Sequence, residues 1–223
     1  MERTLINKSY KQRVAKQSLF SAGVKRAMDI MMSLLGIIIA APIMLIVAIC
    51  IKLEDRGPAL FVQTRTGKGD QPFSIYKFRS MKVTQEQTTP PRNYAWEGGV
   101  PDEFVFKQTD EVDPNVTKVG AFIRKTSLDE LPQLFNVLLG NMSMIGPRPE
   151  IPAITTHYNE QQKSRLFVKP GITGWAQVNG RSDVTNGEKM SMDYYYIEKQ
   201  SLGLDIKIIW KTVVVVLTSK GAV

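Results

Sequence analysis

The run Arg124-Lys125-Thr126-Ser127-Leu128-Asp129-Glu130-Leu131-Pro132-Gln133 places two adjacent carboxylates just after two cations. One reading is structural: Ser127 with Glu130 three residues on has the spacing of a helix capping box, and on pattern alone this is the stronger account. Pro132 would then fall at the fifth helical position, where its missing N–H matters. With Asp129 as the N-cap instead, Pro132 lies in the tolerated first turn. Either way a helix N-terminus favours negative charge and attracts phosphate. The other reading is chemical. An ionised aspartate can attack phosphorus and form an acyl phosphate, and a carboxylate beside it can hold Mg²⁺, which neutralises charge on the transferring oxygens. Asp129 would attack and Glu130 would hold the metal; two adjacent carboxylates facing a diphosphate call for a divalent cation.

Residue counts narrow the remaining chemistry. The chain has a single histidine, His157, and a single cysteine, Cys50. A two-histidine metal centre, an internal disulfide and a cysteine zinc site are therefore excluded within one chain, and acid–base work falls to carboxylates. His157, beside Tyr158, reads as a structural or surface residue.

Cations are scattered through turn-rich blocks. Lys77 and Arg79 lie in Tyr76-Lys77-Phe78-Arg79, on one side of an alternating strand pattern. Arg148 sits between Pro147 and Pro149, displayed on a stiff backbone suited to phosphate. Arg181 follows Asn179-Gly180. Together with Arg124 these side chains would form a diphosphate cradle, provided that the fold brings them together. The net charge of +8 suits an anionic partner, whether nucleic acid, anionic lipid or phosphorylated substrate. No nucleic-acid-binding motif is present.

The elements that must hold these residues begin with Ile30 to Ile51, 22 residues without a charge. As a straight helix this run is about 33 Å long, enough to cross a bilayer core. Pro42 divides it into arms too short to cross alone. Lysines and arginines flank it on both sides, from Lys8 to Arg26 and from Lys52 to Lys68. A helix–break–helix over residues 20–56 that leaves by the face it entered keeps both flanks on the cytoplasmic side; a single spanning helix with a kink exports one.

Residues 1–19 read as a basic tail, and residues 57–223 as the catalytic domain. Within that domain Leu60–Thr66 and Pro72–Phe78 are predicted to form a hairpin. Residues 84–113 are predicted to be a loop or lid whose aromatics, Tyr94, Trp96, Phe104 and Phe106, either stack on a ligand or simply pin it down. Helices are expected over 128–139, 150–166, 183–200 and 204–219. The fold class is an α-rich α+β domain with a re-entrant membrane hairpin.

Five ordered blocks, KRAMDI, PALFVQTRTGKGDQPFSIYKFRSM, FIRKTSLDELPQLFNVLLGNMSMIGPRPE, VKPGITGWAQVNGR and LDIKIIWKT, resemble the bacterial sugar transferase family, the monotopic phosphoglycosyl transferases. The resemblance implies a membrane hairpin broken at Pro42, where Ala41 stands in place of the serine frequent in the family. It implies an Asp129 nucleophile followed by Glu130, Mg²⁺ dependence, a UDP-sugar donor and a polyprenol (undecaprenyl) phosphate acceptor. The expected product is a polyprenyl-diphospho-sugar, with UMP released, as the first membrane step of exopolysaccharide, O-antigen or glycoprotein glycan assembly. The expected location is the bacterial inner membrane with the catalytic domain facing the cytoplasm. Asp193 and Asp205 fall in matching blocks without an assigned role. With one apolar segment the chain looks like the minimal catalytic form, and a homodimer is left open. The rival readings are a hydrolase using the same carboxylate pair and a basic, membrane-anchored binding module.

Overall fold

The computed structural model describes residues 19–82, 94–105, 114–180 and 184–218. The basic tail to residue 18, part of the loop, including Phe106, and Arg181 lie outside them.

Helix α1 (Leu19–Asp55) runs without interruption through Pro42. The expected break into two helices is not seen. Proline removes one backbone donor but leaves φ in the helical range, so the chain can continue past it. The helix is long and apolar enough to cross a membrane, yet only 17% of its most apolar 18-residue window is buried. Its inward residues nevertheless touch the rest of the protein along nearly its whole length. Near its start, Arg26 donates to the carbonyls of Val137 and Leu138 at 2.7 and 2.8 Å. The buried Asp29 accepts from Ser143 Oγ and the Met144 N–H, both at 2.9 Å. Farther on, Val47 and Ile51 join Phe78 and Ile123 in one apolar cluster. At the end, Glu54 accepts the N–H groups of Lys118 and Val119.

Strands β1 (Leu60–Thr66) and β2 (Pro72–Phe78) form the predicted hairpin, antiparallel with Leu60 opposite Phe78 and Thr66 opposite Pro72. The turn between them uses left-handed backbone at Gly69 and Asp70. Helix α2 (Lys118–Lys125) begins at Thr117, whose hydroxyl accepts from the Gly120 N–H. Gly120 is needed there because any Cβ would strike the Ser80 carbonyl.

The expected helix 128–139 is divided. Ser127 adopts left-handed backbone (φ 56°) and makes no capping bond, so the capping box does not form. A 3₁₀ turn covers Leu128–Glu130, and helix α3 (Gln133–Leu139) starts only after Pro132. It stops where expected, at Gly140, in left-handed conformation (φ 92°).

Strand β3 (Ser143–Ile145) pairs in parallel with β4 (Gly171–Thr173). Between them the expected helix 150–166 is reduced to α4 (Pro152–Thr155) and a 3₁₀ turn over Gln162–Phe167. The Asn159 carboxamide accepts from the Gln162 N–H, a local bond that competes with continued helix. Short α5 (Trp175–Asn179) follows β4. Helix α6 (Asn186–Lys199) opens with a Thr185–Glu188 capping box, and α7 (Leu202–Thr218) closes the described chain. Among the described residues the architecture is helix-rich with two two-stranded sheets.

Candidate active site

Three elements converge on the carboxylate pair. The 3₁₀ turn carries Asp129 and Glu130, β2 carries Lys77, and the segment after β3 carries Arg148. Asn136 sets the first against the second. This fully buried side chain accepts from the Tyr76 N–H at 3.0 Å and donates to the Ser74 carbonyl at 2.7 Å, clamping α3 to the backbone beside Lys77. Sequence reasoning passed over Asn136. An amide among apolar helix positions is the signal that could have found it, since such a group must find partners when buried.

Glu130 is gripped on one oxygen. Its Oε1 accepts from Lys77 Nζ at 2.9 Å and from Arg148 Nη2 at 2.7 Å. Asp129 lies farther from that charge, with Oδ2 4.0 Å from Lys77 Nζ. Both carboxylates are mostly shielded, with side chains 16% and 19% exposed. Their titration therefore diverges. Burial and then the neighbouring Glu130 charge push Asp129 up to about 6, against the pull of Lys77, Arg148 and Arg124. Burial acts on Glu130 in the same direction, but Arg148 and Lys77 overcome it and hold that carboxyl at about 2. Glu130 in turn raises the pKa of Arg148 above its ordinary value. At neutral pH both groups are ionised, with Asp129 the more basic and the less committed.

The other expected cradle members separate. Arg124 donates from Nε to Ser80 Oγ at 2.8 Å and adds positive field at Asp129. Arg79 does not belong to the cradle. It is buried, with Nη1 on Asp55 Oδ2 at 2.7 Å and Nη2 on the Asp55 carbonyl at 3.2 Å, tying β2 to the end of α1. The alternating pattern that put Lys77 and Arg79 on one side was sound for the strand. It fails at Arg79 because β2 ends at Phe78.

Asp193 and Asp205 are both about 1% exposed, and neither pairs with Lys77, Arg148 or the carboxylate pair. Asp193 pairs with Arg165, and Asp205 joins Lys25 at 2.7 Å to the Tyr196 hydroxyl at 2.9 Å, binding α7 and α6 to the base of α1. Tyr94, Trp96 and Phe104 pack against one another, Tyr94 and Trp96 stacked with centroids 4.0 Å apart, and His157 lies edge-on to Tyr94 and Trp96. These rings hold residues 94–105 in place.

Among the described residues no three His, Cys, Asp or Glu side chains cluster as a closed metal cage. A hollow of ≈ 610 Å³ lies between Asp102, Asn159 and α6, and none of the residues around the carboxylate pair lines it.

A family model described as bacterial sugar transferase matches residues 20–219. Among curated relatives, the Aeromonas hydrophila UDP-N-acetylgalactosamine-undecaprenyl-phosphate N-acetylgalactosaminephosphotransferase is 42% identical over 207 residues, covering 90% of this chain and 45% of that protein. The Escherichia coli UDP-glucose:undecaprenyl-phosphate glucose-1-phosphate transferase is 41% identical, covering 89% and 41%. The Salmonella typhimurium undecaprenyl-phosphate galactose phosphotransferase is 40% identical, covering 94% and 43%. The chain thus spans less than half the length of each of these relatives.

Proposed function

Since the chain belongs to the bacterial sugar transferase family, we propose that it moves a sugar-1-phosphate from a UDP-sugar to undecaprenyl phosphate, releasing UMP, through a covalent intermediate on Asp129. The observation that carries this reading is the contrast between the two carboxylates. Glu130 is locked by two cations, whereas Asp129 is shielded, ionised at neutral pH and more basic than an ordinary aspartate. A carboxylate in that state is a competent nucleophile.

In the first step an Asp129 oxygen bonds to the sugar-linked phosphorus, and the bond from that phosphorus to UMP breaks, UMP keeping the electron pair. In the second step an oxygen of undecaprenyl phosphate bonds to the same phosphorus, and Asp129 leaves as a carboxylate. The product is an undecaprenyl-diphospho-sugar. In this reading Lys77, Arg148 and the nearby Arg124 meet phosphoryl oxygens, and of the two cations on Glu130 it is Arg148, with a 44% exposed side chain, that is the more accessible.

Mg²⁺ takes one or two carboxylates and completes its shell with water and substrate phosphate. Among the described residues no third carboxylate, histidine or cysteine joins the pair, which fits that habit, so Glu130, with Asp129, would be the donor set for it. When bound, the ion would neutralise charge on the diphosphate.

The membrane element supports the same reading. Its two ends are tied to one body, Asp29 to β3 and Asp55 to Arg79. A helix so held cannot deliver both ends of its apolar run to opposite sides of a bilayer, which supports insertion from one face, and in this reading that face is the cytoplasmic side of the inner membrane, where nucleotide-sugars are made. A water-soluble donor and a lipid acceptor then meet at one surface, which turns a two-phase encounter into a positioned reaction.

The test is UMP release by purified protein in detergent from a panel of UDP-sugars, with Mg²⁺, with and without undecaprenyl phosphate. Release with one donor, sustained only with lipid, is expected. Steady release without lipid would mark a hydrolase and overturn the transferase.

A further inference from the structure

Arg148 stands on a turn that cannot hold itself. Pro147 and Pro149 have no N–H to donate, so the carbonyls are its handles, and four in succession are held from outside. The Pro147 carbonyl accepts from the Gly171 N–H at 2.9 Å, and that of Arg148 from Arg165 Nη2 at 2.9 Å. The Pro149 carbonyl accepts from Arg65 Nη1 at 3.3 Å, and that of Glu150 from the Thr66 N–H at 2.9 Å.

Arg165 is the centre of this arrangement and is only 3% exposed. The Nη2 that holds the Arg148 carbonyl also meets Asp193 Oδ2 at 2.7 Å. Its Nη1 donates to the Tyr158 hydroxyl at 2.6 Å and lies 3.7 Å from Glu150 Oε1, while Glu150 pairs in addition with Lys189. A buried arginine, a half-buried lysine and two buried anions therefore sit under a single turn. A buried ion network adds little stability compared with packed apolar side chains of the same volume. What it supplies is orientation, because a planar guanidinium fixes several partners at once. Here one of those partners is the backbone of the residue whose side chain grips Glu130.

We propose that Arg165, held by Asp193, is a positioning residue that sets the Pro147–Pro149 turn so that the Arg148 guanidinium reaches Glu130. This rests on the function proposed above. It also gives Asp193 a role, one exerted through Arg165 and the turn rather than on substrate.

The experiment uses the full chain in detergent micelles and two readouts. The first is hydrogen exchange of peptides spanning residues 143–151. The second is steady-state UMP release for Arg165→Lys, Arg148→Lys and the double variant. Lysine keeps the charge that the buried anions need but loses the fork. Faster exchange in the turn is expected for Arg165→Lys, with kcat lowered about 10- to 100-fold, as for a small misplacement of a reacting group. Its division between kcat and KM should match that of Arg148→Lys, and the double variant should be no slower than Arg148→Lys alone. Unchanged exchange, or losses that multiply in the double variant, would overturn the proposal. If the wild type releases no UMP from any donor, the proposed reaction fails, and exchange in the turn still decides whether Arg165 positions it. Should Arg165→Lys not fold, Tyr158→Phe removes one hydrogen bond to Arg165 and no charge, and carries the same expectation at smaller size.

Discussion

At Asp129 and Glu130 the same functional group, on side chains that differ by one methylene, meets opposite surroundings, and proton linkage makes the difference measurable. Asp129 is raised from 3.8 to about 6, so the folded state holds its proton more tightly than the unfolded chain does. Its contribution to stability is present below pH 3.8 and is lost as pH rises through about 6. Glu130 is lowered from 4.5 to about 2; its contribution is present above pH 4.5 and is lost as pH falls toward 2. Asp129→Asn should therefore be neutral to stabilising at pH 7, by about 1–3 kcal/mol, while UMP release falls by roughly 10³-fold or more, as for the loss of a nucleophile. Thermal melts alongside turnover check both halves; loss of stability together with activity would point to a structural Asp129. Turnover by the wild type should also fall as pH drops below about 6, where Asp129 takes up its proton. Glu130→Gln should act oppositely on stability, lowering it by about 1.5–3 kcal/mol as two charge-assisted hydrogen bonds weaken, measured by urea unfolding at pH 7. Much of this site was legible from residue types: Asp129, Glu130, Lys77 and Arg148 come together. Their division of labour was not legible, because it depends on which oxygen faces which cation, and adjacency in sequence makes the two carboxylates look equivalent.

Secondary elements were easiest to read where local chemistry decides them. Alternation and Gly67–Asp70 placed β1 and β2, and Gly140 stopped α3. They were misread where tertiary contacts decide. Ser127 has capping chemistry but adopts left-handed backbone, and the parallel pairing of β3 with β4 joins two three-residue segments too short to show alternation. Helix α2 has a local cap in Thr117 but only eight residues of pattern, and two of its first N–H groups are met by Glu54, more than sixty residues earlier in the chain. Arg79 tests this distinction between local pattern and long-range contact. If it binds phosphate, Arg79→Met lowers turnover of folded protein. If it ties β2 to α1, as its bonds to Asp55 indicate, the same change removes two charge-assisted hydrogen bonds to a partly exposed Asp55 and lowers stability by about 1–3 kcal/mol, with turnover per folded molecule little altered. Urea midpoints and active-site titration separate the two.

For the whole molecule the question is which surface meets lipid, and α1 answers it by having two unlike faces. Ile38 and Ile39 are 63% and 64% exposed, whereas Ala40 and Val47 are 8% and 6% exposed. Apolar side chains left in water on this scale mark an interaction surface, and flanking cations suit it to anionic headgroups. Each isoleucine transferred from water to lipid contributes about 1.5–3 kcal/mol, so replacing two of them by serine should weaken vesicle binding by roughly 100-fold or more. The fold should scarcely notice, within about 0.5 kcal/mol, because those side chains are mostly exposed. Val47→Ala should do the reverse, lowering stability by about 1–3 kcal/mol through a cavity beside Phe78 and Ile123 while the protein stays on the vesicle. Flotation with liposomes of mixed neutral and anionic lipid, paired with thermal melts, reads both variants. High salt should not strip the wild type, since screening weakens the headgroup attraction but leaves apolar burial intact. Should Ile38→Ser/Ile39→Ser remain bound and lose its fold instead, the outward face of α1 is part of a protein interior, and the lipid belongs on another surface.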